Sequence, residues 1–260
     1  RGFYYVDKTK YISRLESYKA PVFLRPRRFG KSLWVSTLAH YYDRTLAHRF
    51  EELFGGTYIG SQPTPEHNQY MVIRYDFSKM VMSNSIEGLE QNFNDLNCNP
   101  VEIMVTHNRD LFGDFQFNAH RNASKMLEEA LGYVRAHGLP QVYILIDEYD
   151  NFTNVVLNEK GNDLYHAITH ASGFYREIFK KFKGMFERIF MMGVSPVTLD
   201  DLTSGFNIGW NISTDYQFNM MLGFSESDVR EMFQYYKDAG QLKGDVEAMI
   251  AEMKPWYDNY

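Results

Sequence analysis

A single cysteine, Cys98, in 260 residues leaves no partner for an internal disulfide and no set for a Cys-based zinc site. The setting expected from this is reducing and cytoplasmic. No apolar run approaches the ~20 residues that a membrane span needs; the longest, Val142 to Ile146 and Ile189 to Val194, have the length of strands. No membrane partner is expected. Basic residues are in the minority, 27 Lys and Arg against 33 Asp and Glu, and the net charge of −6 lends no support to a broad nucleic-acid footprint. The eight histidines show no metal-ligand spacing. His166 and His170 stand four apart without the H-E-x-x-H pattern, and a G-x-S-x-G nucleophile turn is missing as well. There is no internal repeat or low-complexity tract. An initial Met is also missing, the chain running from Arg1 to an aromatic-rich close at Tyr260, which suggests a fragment.

What is present is an ordinary globular composition, 44% hydrophobic and 23% charged, with aromatics high at 16% and spread along the length. Four strand-length apolar runs, Val22-Leu24, Met71-Tyr75, Val142-Ile146 and Ile189-Val194, are separated by stretches long enough for helical crossovers. That pattern predicts an α/β fold with a parallel sheet flanked by helices. Helices are expected over Lys31 to Tyr42, with Leu33, Val35, Leu38 and Tyr41 on one side, and over Ser85 to Val105, Ala119 to His137 and Leu164 to Phe186. A fifth strand is expected within Ile212 to Phe218. After Gly223 the texture changes: Ser225-Glu226-Ser227-Asp228 has the form of a capping box, and a second helix fits Asp245 to Met253, ending before Pro255. Residues 1–223 therefore read as a core and 224–260 as a small helical lid, truncated at its end.

Behind the first strand lies Arg25-Pro26-Arg27-Arg28-Phe29-Gly30-Lys31-Ser32-Leu33. A strand that runs into Gly-Lys-Ser and opens a helix reads as a phosphate-binding loop. Backbone N–H groups and the helix N-terminus surround a polyphosphate, Lys31 reaches the outer phosphates, and Ser32 ligates Mg²⁺. The pattern G-x-x-x-x-G-K-[ST] asks for Gly where this chain has Arg25. Arg27 and Arg28 suit contact with phosphate oxygens or pairing with acids of neighbouring strands.

Val142 to Ile146 ends in Asp147-Glu148, the form of a Walker B segment, in which the first acid holds Mg²⁺ and the second polarises the attacking water. A buried strand running into an acidic turn is the plain alternative. The two signatures reinforce each other, because parallel strands present their carboxyl ends to one crevice. At the end of Arg188 to Pro196, Ser195 is the first candidate for a γ-phosphate sensor and Thr198 the second, against a simple strand-to-loop cap. Asp76 either faces the crevice or caps a turn with Ser78. Asp150 either positions water or metal or is a solvated loop acid.

These segments together resemble a known family. Phe3 to Thr9, Phe23 to Leu33, Asp76-Phe77-Ser78, Asp147 to Asp150, Gly193 to Pro196 and Leu202 to Asn207 are similar to the AAA-ATPase-like domain of uncharacterised bacterial proteins. The likeness covers nearly the whole chain, and in that family Arg-Pro-Arg-Arg-Phe-Gly-Lys-Ser is the usual loop. It implies a P-loop NTPase three-layer fold with an additional strand between the strands bearing the two signatures, plus a helical lid. Many members continue into a domain resembling PD-(D/E)XK nucleases, which these residues lack; Trp256 to Tyr260 resembles the start of a further family motif. Related ATPases contact base or ribose near the position of Asp7, Lys8 and Thr9. The expected activity is ATP binding and Mg²⁺-dependent hydrolysis that drives or switches a partner domain: Lys31 on the β- and γ-phosphates, Ser32 and Asp147 on the metal, Glu148 on water. Alternatives are a nucleotide-dependent regulatory module that does not hydrolyse, and a nucleic-acid-associated motor serving a nuclease domain.

Overall fold

A computed structural model describes residues 4–118, 121–170, 173–185, 187–195 and 209–257. Five parallel strands, β1 (Pro21–Leu24), β2 (Met71–Asp76), β3 (Val142–Asp147), β4 (Arg188–Gly193) and β5 (Trp210–Asn211), form one sheet in the order β2-β3-β4-β1-β5. β4 thus separates β1 from β3, the inserted strand that the family resemblance implies. Registers Leu24↔Gly193, Ile146↔Met191 and Asp76↔Asp147 bring the carboxyl ends of four strands to one edge.

Every residue of β3 is buried, as a central parallel strand covered on both faces requires. Its side chains alternate between two cores. Tyr143 and Leu145 join Phe23, Phe190 and Met192 under α1 (Lys31–Tyr42), while Ile144 and Ile146 join Ile189 and Met191 on the other face. That second face is covered by α2 (Ile86–His107), α3 (Ala123–Ala136), α4 (Asn151–Lys160), α5 (Asn162–Thr169) and α6 (Phe174–Met185). Helices on both faces of a parallel sheet give the three-layer α/β form of P-loop NTPases. Two further helices, α7 (Glu226–Asp238) and α8 (Val246–Tyr257), make a small C-terminal helical region. Among the described residues no helix is long and apolar enough to cross a membrane.

Several local expectations change. Leu33 points outward, 60% exposed, and Trp34 takes the inward place beside Val35, Leu38 and Tyr41. The expected helix from 164 to 186 is two helices, α5 and α6, and α4 before them was not foreseen. Gly161, at φ 86° and ψ 178°, sits in a region almost closed to other residues and breaks the run between α4 and α5. Phe186 lies outside the described residues, as do 119 and 120; α3 starts at Ala123, where Asn122 accepts the Lys125 N–H at 3.0 Å.

The fifth strand comes earlier than expected. The N–H groups of Trp210 and Ile212 reach Ala20 and Val22 carbonyls, and then the Asn211 side chain captures the Ser213 N–H at 3.0 Å and ends the ladder. Helix α8 does not stop before Pro255 but carries it in its last turn. A proline there forfeits one hydrogen bond to the exposed Ala251, whose carbonyl water can reach. The capping box at Ser225 and Asp228 forms as expected, with both reciprocal bonds present.

Candidate functional site

The loop between β1 and α1 turns through two left-handed residues, Arg28 at φ 72° and Gly30 at φ 84°. A Cβ on Gly30 would touch nothing within 4 Å, so glycine is favoured there by its φ alone. The turn brings Lys31 to the first position of α1, where its side chain is only 5% exposed. Its Nζ donates to the carbonyls of Arg25 (3.2 Å) and Pro26 (3.1 Å), so the ammonium spans the mouth of the loop. Pro26, Arg27, Arg28 and Gly30 are exposed and Phe29 half-buried. Among the described residues neither Arg27 nor Arg28 forms an ion pair, so the pairing with strand acids is not what the structure adopts. Two unpaired guanidinium groups and a lysine over an N-terminal helix turn make an electropositive, anion-accepting surface.

Arg25 differs from its neighbours. Its guanidinium lies 4.2 Å from the Phe23 ring centroid and donates to the carbonyls of Leu24 (2.9 Å) and Ser213 (3.0 Å). The Ser213 hydroxyl in turn accepts the Leu24 N–H at 2.9 Å. The Arg25 side chain therefore braces the root of the loop against the turn after β5. Leu33, also assigned to the loop by sequence, is exposed on α1.

Asp147 ends β3 at 1% exposure, and its Oδ1 has no hydrogen-bond partner. Burial raises its pKa; a hydrogen bond from Ser32 works in the opposite direction, and the charge of Asp76 adds to the rise. Asp76 stands opposite it in register, its carboxylate held by the Ser78 N–H (3.1 Å), the Ser78 hydroxyl (2.6 Å) and Lys79 (3.1 Å). Asp76 is thus a turn cap that also borders Asp147.

Glu148 follows in a left-handed conformation at φ 52°, half-buried. Burial raises its pKa against the opposing charge of Lys31. Lys31, Ser32, Asp147 and Glu148 thus meet at one sheet edge. Beside them a groove of about 180 Å³ runs between Arg27, Glu148, Asn151, Asn154 and Val194.

Asp150 is not a solvated acid. It is 1% exposed and accepts N–H bonds from Val194 (3.1 Å) and Ser195 (2.6 Å), while the Tyr149 hydroxyl donates to the Ser195 carbonyl at 2.6 Å. The segment carrying Ser195 is thereby fastened to the turn carrying Glu148. Thr198 and Leu202 to Asn207 lie outside the described residues. The fastening was missed from sequence, although Gly193 within an apolar strand is the kind of residue that marks a close backbone approach.

The segment before β1 is engaged elsewhere. Asp7 accepts the N–H groups of Thr9 and Tyr58, the Thr9 hydroxyl accepts that of Ile59, and Lys8 pairs with Asp228 at 2.5 Å.

A family model described as "Predicted AAA-ATPase" matches residues 1–203, most of the chain. The chain belongs to the AAA-ATPase-like family. The AAA-ATPase-like chain is also similar to an uncharacterized protein in the vnfD 5′ region of Azotobacter chroococcum mcd 1, with 28% identity over 266 residues. That match covers 99% of this chain and 45% of the relative, so the chain spans less than half the length of the curated relative it matches. Among the described residues of this AAA-ATPase-like chain, no group of three or more His, Cys, Asp or Glu side chains is placed to hold a metal by itself. A magnesium ion bound with a nucleotide needs only one or two protein oxygens, since phosphates and water supply the rest. The orphaned Oδ1 of Asp147, beside Ser32, fits that requirement.

Proposed function

We propose that the chain binds ATP with Mg²⁺ at the carboxyl edge of the sheet and hydrolyses the γ-phosphate to drive or switch a partner domain. The observation that carries this reading is the unpartnered, buried Oδ1 of Asp147 next to Ser32 and Lys31. An uncompensated buried carboxylate oxygen costs stability, and a cation with its phosphates is the natural partner that relieves it.

In this reading Lys31 exchanges its two loop carbonyls for phosphate oxygens, so the loop is held open at the width of its ligand before the ligand arrives. Arg27, Arg28 and the N–H groups around Phe29, Gly30 and Ser32 neutralise the polyphosphate. Ser32 and Asp147 hold the metal, which when bound neutralises charge on the β- and γ-phosphates. Glu148 orients and deprotonates the attacking water, helped by a site that raises its affinity for a proton. Ser195 donates to the γ-phosphate. Arg25 supports the loop without reaching the ligand.

Calorimetry with Mg·ATP tests binding: Lys31→Ala is expected to weaken it at least ~100-fold, given the loss of a charge-assisted contact in a buried setting. Affinity equal to the parent's would sink the assignment. Glu148→Gln is expected to bind as the parent does while turnover falls by ~10²-fold or more.

A second reading, a nucleotide-dependent switch, is favoured by one contact. A Cβ on Gly223, which precedes α7, would lie 3.1 Å from the Phe29 ring of the loop. Ligand that shifts Phe29 would press directly on the root of the C-terminal helices. In a switch without hydrolysis, Glu148→Gln leaves the nucleotide response unchanged. Stimulation of turnover by DNA or RNA would instead favour the motor reading.

A further inference from the structure

The turn after β3 is fixed at each residue around Glu148. Before it, the parallel ladder holds Asp147 in register with Asp76. After it, the Tyr149 N–H donates to the Met192 carbonyl at 3.2 Å, and the Tyr149 hydroxyl donates to the Ser195 carbonyl at 2.6 Å. The Tyr175 hydroxyl closes on the Tyr149 carbonyl. Asp150 accepts from the backbone of Val194 and Ser195 and, at 3.3 Å, from the Asn154 amide.

Both gripping side chains are buried, and a carboxylate receiving N–H bonds away from water forms them at their strongest. Gly193 permits the approach: a Cβ there would stand 2.5 Å from Tyr149 Cε1 and 2.6 Å from Asp150 Oδ1. The same strand end reaches the phosphate loop, since the Arg25 N–H donates to the Gly193 carbonyl at 3.1 Å. A continuous set of hydrogen bonds therefore runs from the loop through the end of β4 to the Glu148 turn.

Glu148 sits inside this clasp in a left-handed conformation that is costly for a non-glycine residue. Such strain persists where the surroundings over-determine it. We propose that Tyr149 and Asp150 are positioning residues, which hold the Glu148 turn and the Ser195 segment as one rigid unit against the phosphate loop. The proposal rests on the ATPase reading, with Glu148 as the group that acts on water. Neither Tyr149 nor Asp150 needs to touch nucleotide for this. Their contribution is geometric, and a displacement of the Glu148 carboxylate by an ångström is enough to cost ~10²-fold in rate.

The test measures turnover and the dissociation constant for Mg·ATP on the purified chain, with thermal melting alongside, in two variants. Asp150→Asn keeps shape and one acceptor but turns an amide donor toward a backbone N–H. Tyr149→Phe removes only the hydroxyl and changes no charge. The expected result is a fall in kcat of about tenfold to a hundredfold for Asp150→Asn, a smaller fall for Tyr149→Phe, and dissociation constants within about twofold of the parent. If Asp150→Asn does not fold, the same split in Tyr149→Phe decides.

Turnover within about twofold of the parent in both variants, or kcat and affinity falling together, overturns the clasp while leaving the ATPase reading in place. A parent chain that binds Mg·ATP and never turns it over overturns both.

Discussion

Asp147 combines two demands that conflict in the free protein. It is packed at the end of a fully buried strand, yet one of its oxygens has nothing to bond. Asp147→Asn keeps the Ser32 contact and removes the buried charge, so the melting temperature is expected to rise by roughly 2–4 °C for each kcal/mol recovered. Mg²⁺-dependent ATP affinity is expected to fall at least ~10-fold in the same variant. A scan of thermal stability beside a Mg·ATP titration checks both; a lower melting temperature would contradict the account. Gly193→Ala tests the opposite kind of residue. Its methyl would meet Tyr149 and Asp150 at contact distances no real side chain shows, and a loss of about 1–3 kcal/mol in urea unfolding is expected. Lys31, Ser32 and Asp147 were legible in sequence because residue type and position after a strand are enough to propose them. Asp150 was not, because the backbone groups it holds lie more than forty residues away in the chain.

Helix α7 shows how local signals and distant contacts combine in one element. The capping box of Ser225 and Asp228 is local and was readable; Ser225→Ala is expected to cost ~1 kcal/mol. Asp228 also receives Lys8 in a largely buried ion pair, and the Tyr4 ring packs 5.1 Å from that of Tyr235. The segment before β1 thus ties down the helices that follow β5. Lys8→Met leaves the cap intact and removes the tie. Hydrogen exchange across residues 226–238 is expected to accelerate while the rest of the chain is unchanged; unchanged exchange in α7 would show that the pair adds nothing. Helix α1 was legible to the residue in its ends and in the inward places of Val35, Leu38 and Tyr41, but not in that of Leu33. Leu33 and Trp34 are both apolar, and the direction of the helix over β2, β3 and β4 sends Trp34 inward.

Across the whole molecule, the edge opposite the candidate site is closed by a polar network. Glu16 accepts from the Tyr42 hydroxyl (3.1 Å) and the Thr64 hydroxyl (2.6 Å), while Arg188 bridges to Glu66 and to the Glu16 and Tyr18 carbonyls. Burial raises the Glu16 pKa above its usual 4.5, partly opposed by the Thr64 bond. The folded state therefore holds the Glu16 proton more tightly than the unfolded chain. Its contribution to stability is fully present below pH 4.5 and is lost as pH rises through the higher folded value. Glu16→Gln mimics the protonated form, so the variant is expected to be more stable than the parent near neutral pH, with the gap closing below about pH 4.5 in melts recorded against pH. The order of apolar strands and crossovers by itself determined the α/β class, and the positions of Gly-Lys-Ser and Asp-Glu behind two of those strands pointed to the edge that holds the candidate site. Those are periodic or short-range signals, written within a few residues. Tertiary structure alone decided that Arg25 turns back onto Ser213, that Phe29 abuts Gly223, and that Tyr149 and Asp150 grip the end of β4. Each of those contacts joins chain segments whose approach depends on which strands become neighbours, and strand adjacency is set by the packing of both cores at once.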